Sequence, residues 1–277
     1  MQMKSKIENN SKIISALLIV LFLNTFTIKA QDGDSLYTQD KNGLEDVIVE
    51  KYYNVTNEDI QDSIGGKLAK GSVTYRIYID LKEGYKLQGV FGSETHPLII
   101  ETSTNFFNDT IYKRNTGDLL IKETLNEHNV ALDSWITMGG VTEFYNGILK
   151  SEDKDGSIIS SKKDLEKVDG MIYRDIYRVA FVGNNLNFFS DSLSPKRFYS
   201  EDFWFFNYIG VVGPTETNKI LIAQLTTDGI LNFELNIQVR TPSGKACQYV
   251  AKNPEKLESI GKGLIFESNN KLDKKSK

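Results

Sequence analysis

The sequence predicts an all-β protein, an antiparallel β-sandwich or jelly-roll-like body with few helices. Three observations lead there. Apolar and polar residues alternate with period two in several stretches, the mark of strands with one buried and one wet face. Asp228-Gly229 stands between two such stretches, and Asp-Gly readily adopts the left-handed angles of a two-residue hairpin turn. No apolar stripe of helical period persists along the chain, residues 160–170 being the best short candidate.

Taken in order, the chain opens with an address. Lys4, Lys6 and Lys12 form a basic leader, residues 13–23 an apolar run, and Ile28-Lys29-Ala30 a close before the polar Gln31-Asp32. That is the order of a secretory signal peptide, with cleavage after Ala30. The run is shorter than the roughly 20 apolar residues of a membrane span, and Asn24 interrupts it. No cysteine stands near Ala30, so the expectation is a released protein without a lipid anchor. Residues 31–43 are polar and read as a flexible lead-in. The β body is expected over 44–266, followed by a disordered basic tail over 267–277.

Within the body, Val73, Tyr75, Ile77, Ile79 and Leu81 are set against Thr74, Arg76, Tyr78 and Asp80. Val130, Leu132, Ile136 and Met138 are likewise set against Asp133, Trp135 and Thr137. Over 230–240 the separation is cleanest, with Leu231, Phe233, Leu235, Ile237 and Val239 opposite Asn232, Glu234, Asn236, Gln238 and Arg240. Shorter β-branched and aromatic runs at 86–91, 97–104 and 176–182 add strands. The polar stretch 150–170 reads as a long loop or a seam between two halves.

Charge and cysteine content exclude several chemistries. Residues 1–30 hold four lysines and one glutamate, so the mature chain carries about −7 where the whole carries −4. Nothing resembles the basic stripe that a phosphate backbone needs, and nucleic acid is excluded as a partner. Cys247 is the lone cysteine, so no intramolecular disulfide forms, and it reads as a small buried apolar residue. His96 and His128 have no second histidine or cysteine at zinc-ligand spacing. Neither a Gly-x-Ser-x-Gly elbow nor a phosphate-binding glycine loop is present.

Two motifs carry candidate sites. In Asp153-Lys154-Asp155-Gly156 the closely spaced carboxylates and the glycine resemble the turn that opens a calcium loop. The full loop would need a glutamate where Lys162 stands. Calcium through Asp153 and Asp155 is therefore the one cofactor reading. The second motif is Phe203-Trp204-Phe205-Phe206-Asn207-Tyr208. As a strand it sets Trp204, Phe206 and Tyr208 on one face and Phe203, Phe205 and Ile209 on the other. Covered on both faces it is a central core strand, the reading its apolar continuation favours. Open on one face, Trp204, Phe206 and Tyr208 make a stacking platform for a glycan or an envelope protein.

Several spellings are similar to recurring segments in exported proteins of marine bacteria, notably Bacteroidetes. They are Gly71-Ser72-Val73-Thr74-Tyr75-Arg76-Ile77-Tyr78-Ile79-Asp80, His96-Pro97-Leu98, Thr102-Ser103-Thr104-Asn105-Phe106-Phe107, Leu132-Asp133-Ser134-Trp135 and Leu225-Thr226-Thr227-Asp228-Gly229. The resemblance covers about residues 44–253 and implies a β-rich module without an assigned activity. It also implies a C-terminal sorting domain, from which this chain departs with a lysine-rich tail, leaving periplasm or medium as the expected place. The functional expectation is an exported, non-catalytic binding or structural module of the cell envelope. The alternative is an extracellular carbohydrate-active hydrolase using two carboxylates.

Overall fold

Alternating residues become strands over most of the chain. The computed structural model describes residues 36–153, 170–174, 178–183, 188–190 and 195–268. The signal segment, Asp155, and nearly all of the helical candidate 160–170 and of the basic tail 267–277 lie outside them. The chain divides into Met1–Leu36 and a second unit, Tyr37–Lys277, that runs through the expected seam at 150–170 without a break into halves.

In chain order the first strands are β1 (Leu44–Asn54), β2 (Val73–Leu81), β3 (Lys86–Phe91), β4 (Leu98–Thr102), β5 (Trp135–Ile136) and β6 (Tyr145–Gly147). There follow β7 (Met171–Tyr173), β8 (Ala180–Val182), β9 (Arg197–Ser200), β10 (Trp204–Val211) and β11 (Lys219–Thr227). The last are β12 (Leu231–Glu234), β13 (Ile237–Arg240), β14 (Ala246–Val250), β15 (Glu258–Ile260) and β16 (Ile265–Glu267). The one α-helix among the described residues, α1 (Asn57–Gln61), is a single turn held by a capping box between Thr56 and Asp59.

These strands build the all-β, sandwich-like fold. One sheet has the order β1-β2-β11-β5, a second β15-β14-β13-β3-β10-β8, and a third β16-β12-β4-β9; β6 pairs with β7. All pairs are antiparallel except β14 with β15. The second and third sheets share an order, because β3, β10 and β13 adjoin β4, β9 and β12 in the chain. Together they act as one broad sheet creased at residues 92–97, 201–203 and 235–236. The main core lies between this creased sheet and the first one. Ile77, Ile79, Ile220 and Leu225 meet Leu87, Val90, Phe205, Ile237, Ile100 and Phe233 there.

Several expectations are corrected. Residues 230–240 do not form one strand. They break at Leu235-Asn236, so β12 serves the third sheet and β13 the second. The alternation survives the break because Asn236 stays buried and clasps the crease. Its Nδ2 donates to the carbonyls of Phe91, His96 and Pro97, and its Oδ1 accepts from Ala251 N. Asp228-Gly229 is not a hairpin turn either, since β11 and β12 belong to different sheets. The glycine serves close approach instead: a Cβ there would lie 2.4 Å from Thr102 Oγ1 and 2.7 Å from Thr104 N.

The second face of the first sheet is not wet. Tyr78 and Leu221 are buried there with Tyr52, Trp135, Phe107, Leu120, Leu125 and Leu132, in a layer supplied mainly by residues 106–149. Residues 130–138, expected as a long strand, instead form a 3₁₀ turn (Val130–Leu132) in that layer and the two-residue β5 at the edge of the first sheet, with Ile136 and Met138 in the main core. Asp133 and Thr137 are buried there with hydrogen-bond partners for one oxygen each. Asp133 accepts from Asp109 N and Ser134 N, and Thr137 Oγ1 donates to Gly140 O.

The lead-in is also held from Tyr37 onward. The Asp40 carboxylate accepts from Asn42 N, Gly43 N, Tyr85 OH and Tyr249 OH. Burial alone would raise this carboxyl, but those hydrogen bonds outweigh it and lower it.

Candidate functional site

The aromatic run lies on β10, between β3 and the edge strand β8. Phe203, just before the strand, and Phe205 are each 1% exposed and point into the core. There Phe203 packs edge-on against Phe198 at 5.0 Å between ring centroids. Trp204 and Phe206 point the other way and are half-buried. The run is therefore not covered on both faces, which corrects the core-strand reading. Trp204 stacks on Phe91 across the strand pair, with centroids 4.7 Å apart and rings within 18° of parallel. Beside them Phe206 faces Gly89, where a Cβ would come within 2.8 Å of the Phe206 Cβ. Glycine at 89 leaves that space to the ring.

Beyond Phe206 the strand bulges. Phe206 is opposite Gly89 and Val211 opposite Leu87, so β10 advances five residues while β3 advances two. Gly210 closes the bulge at φ +81°, a conformation that side chains resist. The bulge ends the alternation: Tyr208 is 60% exposed and Ile209, expected inside, is 65% exposed. The Tyr208 ring stands edge-on to Phe206 at 4.8 Å. The structure thus brings Trp204, Phe206 and Tyr208 together on the outward side, with Tyr208 the most open of the three.

The same outward face continues across the sheet as amides. Phe206, Gly89, Gln238, Gln248 and Glu258 occupy one cross-strand row from β10 to β15. At about 4.8 Å per strand this row is about 19 Å wide. Gln238 Nε2 donates to Gln88 Oε1 at 3.3 Å, and Gln248 Nε2 donates to Gln238 Oε1 at 3.2 Å. Lys86 and Arg240 face each other in the next outward row. The inward partners Leu87, Val90, Ile237, Val239 and Cys247 are fully buried, so the two faces separate cleanly. The alternation over 230–240 by itself places Gln238 and Arg240 outward. Their alignment with Gln88, Gln248 and Phe206 depends on strand pairing and has no local signal.

Other candidates resolve differently. Cys247 is buried in β14, and burial, with Asp40 adding to it, pushes its thiol up to about 12, which suits a packed apolar residue. His96 is buried with Nε2 2.8 Å from Glu258 Oε2, while the half-exposed His128 lies 3.1 Å from Asp62. Asp153 follows a 3₁₀ turn (Lys150–Glu152). Among the described residues no group of three or more His, Cys, Asp or Glu could hold a metal ion. Burial drives the Asp133 carboxyl well above its usual range, the signature of many catalytic acids. Yet Asp133 is 1% exposed and its neighbour Asp109 2%, so this pair faces no open cleft.

No protein-family model, curated protein or solved structure matches this chain. No helix among the described residues is long and apolar enough to cross a membrane.

Proposed function

We propose that this chain is an exported, non-catalytic binding module that holds a glycan on the outward face of its six-stranded sheet. One observation carries the reading: Trp204, Phe206 and Tyr208 gather on that face and run into the ladder Gln88-Gln238-Gln248. Aromatic rings pack against the apolar faces of sugar rings, and side-chain amides offer both donors and acceptors to hydroxyl groups. A sheet with rigid cross-strand pairs presents both with little conformational cost on binding. The basic leader, apolar run and Ala30-Gln31 junction support export to the periplasm or medium.

A glycan array probed with the purified chain tests the binding reading. A retained glycan is expected to be lost on Tyr208→Ala and Phe206→Ala, with the Tyr208 variant melting like the parent. Array silence, or binding indifferent to both substitutions, would overturn the reading. N-terminal sequencing of exported protein is expected to begin at Gln31, and a start at Met1 would refute cleavage.

A further inference from the structure

We infer that the ligand of this face is a linear glycan of equatorially linked pyranoses, of the β1→4 type, lying across the strands with about one sugar unit to each strand interval. The inference rests on the reading of the face as a sugar platform and adds the shape and direction of its ligand. The observation behind it is where the outward face stays open. Towards the crease it is closed, because Phe91, Asn236 and Val250 are buried. Each lies two residues along the chain from its member of the row Phe206-Gly89-Gln238-Gln248-Glu258. Away from the crease, β13 ends at Arg240. Along β13 the open face therefore holds only Gln238 and Arg240, about 7 Å apart at about 3.3 Å per residue. The row itself crosses from β10 to β15 over about 19 Å. The open strip runs across the strands, not along them.

Spacing within the strip decides the linkage. Neighbouring strands are about 4.8 Å apart, close to the length of one pyranose in a fully extended glycan. Equatorial bonds keep such a glycan straight, with one unit near each strand. Axial linkage curls it away from a flat row. At the β10 end, Phe206 and the edge-on Tyr208 ring meet the apolar face of the first sugar. The amides of Gln88, Gln238 and Gln248 follow at strand intervals. They are already oriented by their own hydrogen bonds, Gln238 to Gln88 at 3.3 Å and Gln248 to Gln238 at 3.2 Å. Amides donate and accept as hydroxyl groups do, and a ladder fixed in advance loses little conformational freedom on binding. Glu258 closes the row on β15, 2.8 Å from His96 Nε2.

The test is calorimetry of the purified chain with graded oligosaccharides, from disaccharides to hexasaccharides. Cello-, manno- and xylo-oligosaccharides supply the β1→4 series, and malto-oligosaccharides the axially linked one. At least one β1→4 series is expected to tighten about tenfold from disaccharide to tetrasaccharide and then level off, as a row of about 19 Å requires. The malto-tetrasaccharide should bind about tenfold more weakly than its β1→4 counterpart. Gln248→Ala should remove the gain at the tetrasaccharide and leave disaccharide affinity unchanged. Should that variant melt early, Gln248→Met, which keeps the length and drops the amide, takes its place. Phe206→Ala should weaken every length, and Lys262→Gln, whose ammonium bonds Asp46 on β1, should change nothing. Affinity indifferent to length, malto-oligosaccharides that bind as tightly as the β1→4 series, or a gain that survives loss of the Gln248 amide would overturn the inference. Glycans of another kind retained through Phe206 would leave the platform reading standing while this one falls. Silence of every glycan would remove both.

Discussion

At the residue scale, β10 shows how one strand divides its work. Phe205 and Trp204 are adjacent and similar in hydrophobicity, yet one fills the core while the other leans on Phe91 at the surface. Phe205→Ala is expected to cost about 3–5 kcal/mol, because it leaves a cavity between packed sheets. Trp204→Ala should cost about 1–2 kcal/mol, the loss of one stacked, partly buried ring. Urea denaturation of the two variants compares them directly, and equal losses would contradict the opposite orientations of these two rings. Asp133 offers a second test. Burial raises its carboxyl, while the N–H groups of Asp109 and Ser134 pull it down without offsetting the burial. The folded protein therefore holds this proton more tightly than the unfolded chain does. The stability linked to it is complete below the unfolded carboxyl's pKa and drains away as pH climbs toward the folded one. Asp133→Asn retains an oxygen to accept both N–H groups. It should be more stable than the parent by a margin that widens from acidic to neutral pH, read from denaturation curves across that range. A margin independent of pH would show that Asp133 is not the titrating group.

At the element scale, the stretch 230–240 shows how far alternation can be trusted. Its apolar set is buried as the pattern requires, because alternation is a local property of extended backbone. The pattern contains no sign that the chain changes sheets after Glu234. That change depends on Asn236, whose side-chain bonds reach residues 91, 96, 97 and 251. An outward polar position and a buried, fully bonded amide look identical when only neighbours in sequence are visible. Asn236→Ala strands those groups in a dry crease and should cost about 2–4 kcal/mol. Hydrogen exchange gives the sharper reading: the Ala251 amide should lose protection ahead of the rest of β14. The Asp-Gly pair teaches the same lesson. Its glycine admits Thr102 and Thr104, residues more than a hundred positions away, where the dipeptide alone suggests a tight turn.

At the scale of the whole molecule, the main surprise is the third layer. By alternation alone the first sheet should face water through Arg76 and Tyr78, and both are buried beneath residues 106–153 and 170–171. Arg76 pins that layer. Its guanidinium lies 3.4 Å from the Tyr52 ring centroid, its Nε donates to Gln224 Oε1, and its Nη1 donates to Gly170 O. Gln224 in turn donates to the carbonyls of Ala131 and Asp133, and Tyr78 OH donates to Ile148 O. Burial raises the neighbouring Glu50, and Arg76 is among the groups that hold the rise in check. Arg76→Met keeps the length of the side chain and removes every donor. It should cost about 2–4 kcal/mol and admit protease to residues 106–149 before the sheets unfold. Cleavage that begins instead in β10 or β13 would show that the cover is held by other means.

Period-two alternation is enough to establish the all-β class and the inward faces of β2, β12 and β13. Each depends only on which side of an extended chain a residue takes, and that repeats every two positions. Pairing decides the remainder. The crease at Asn236, the cover over Arg76 and the alignment of Phe206 with Gln88, Gln238 and Gln248 join residues up to about 150 positions apart. A strand's outward face becomes core, surface or site according to what the rest of the fold lays against it. On β2 that is a third layer; on β10 the face keeps its aromatic rings half-open to solvent.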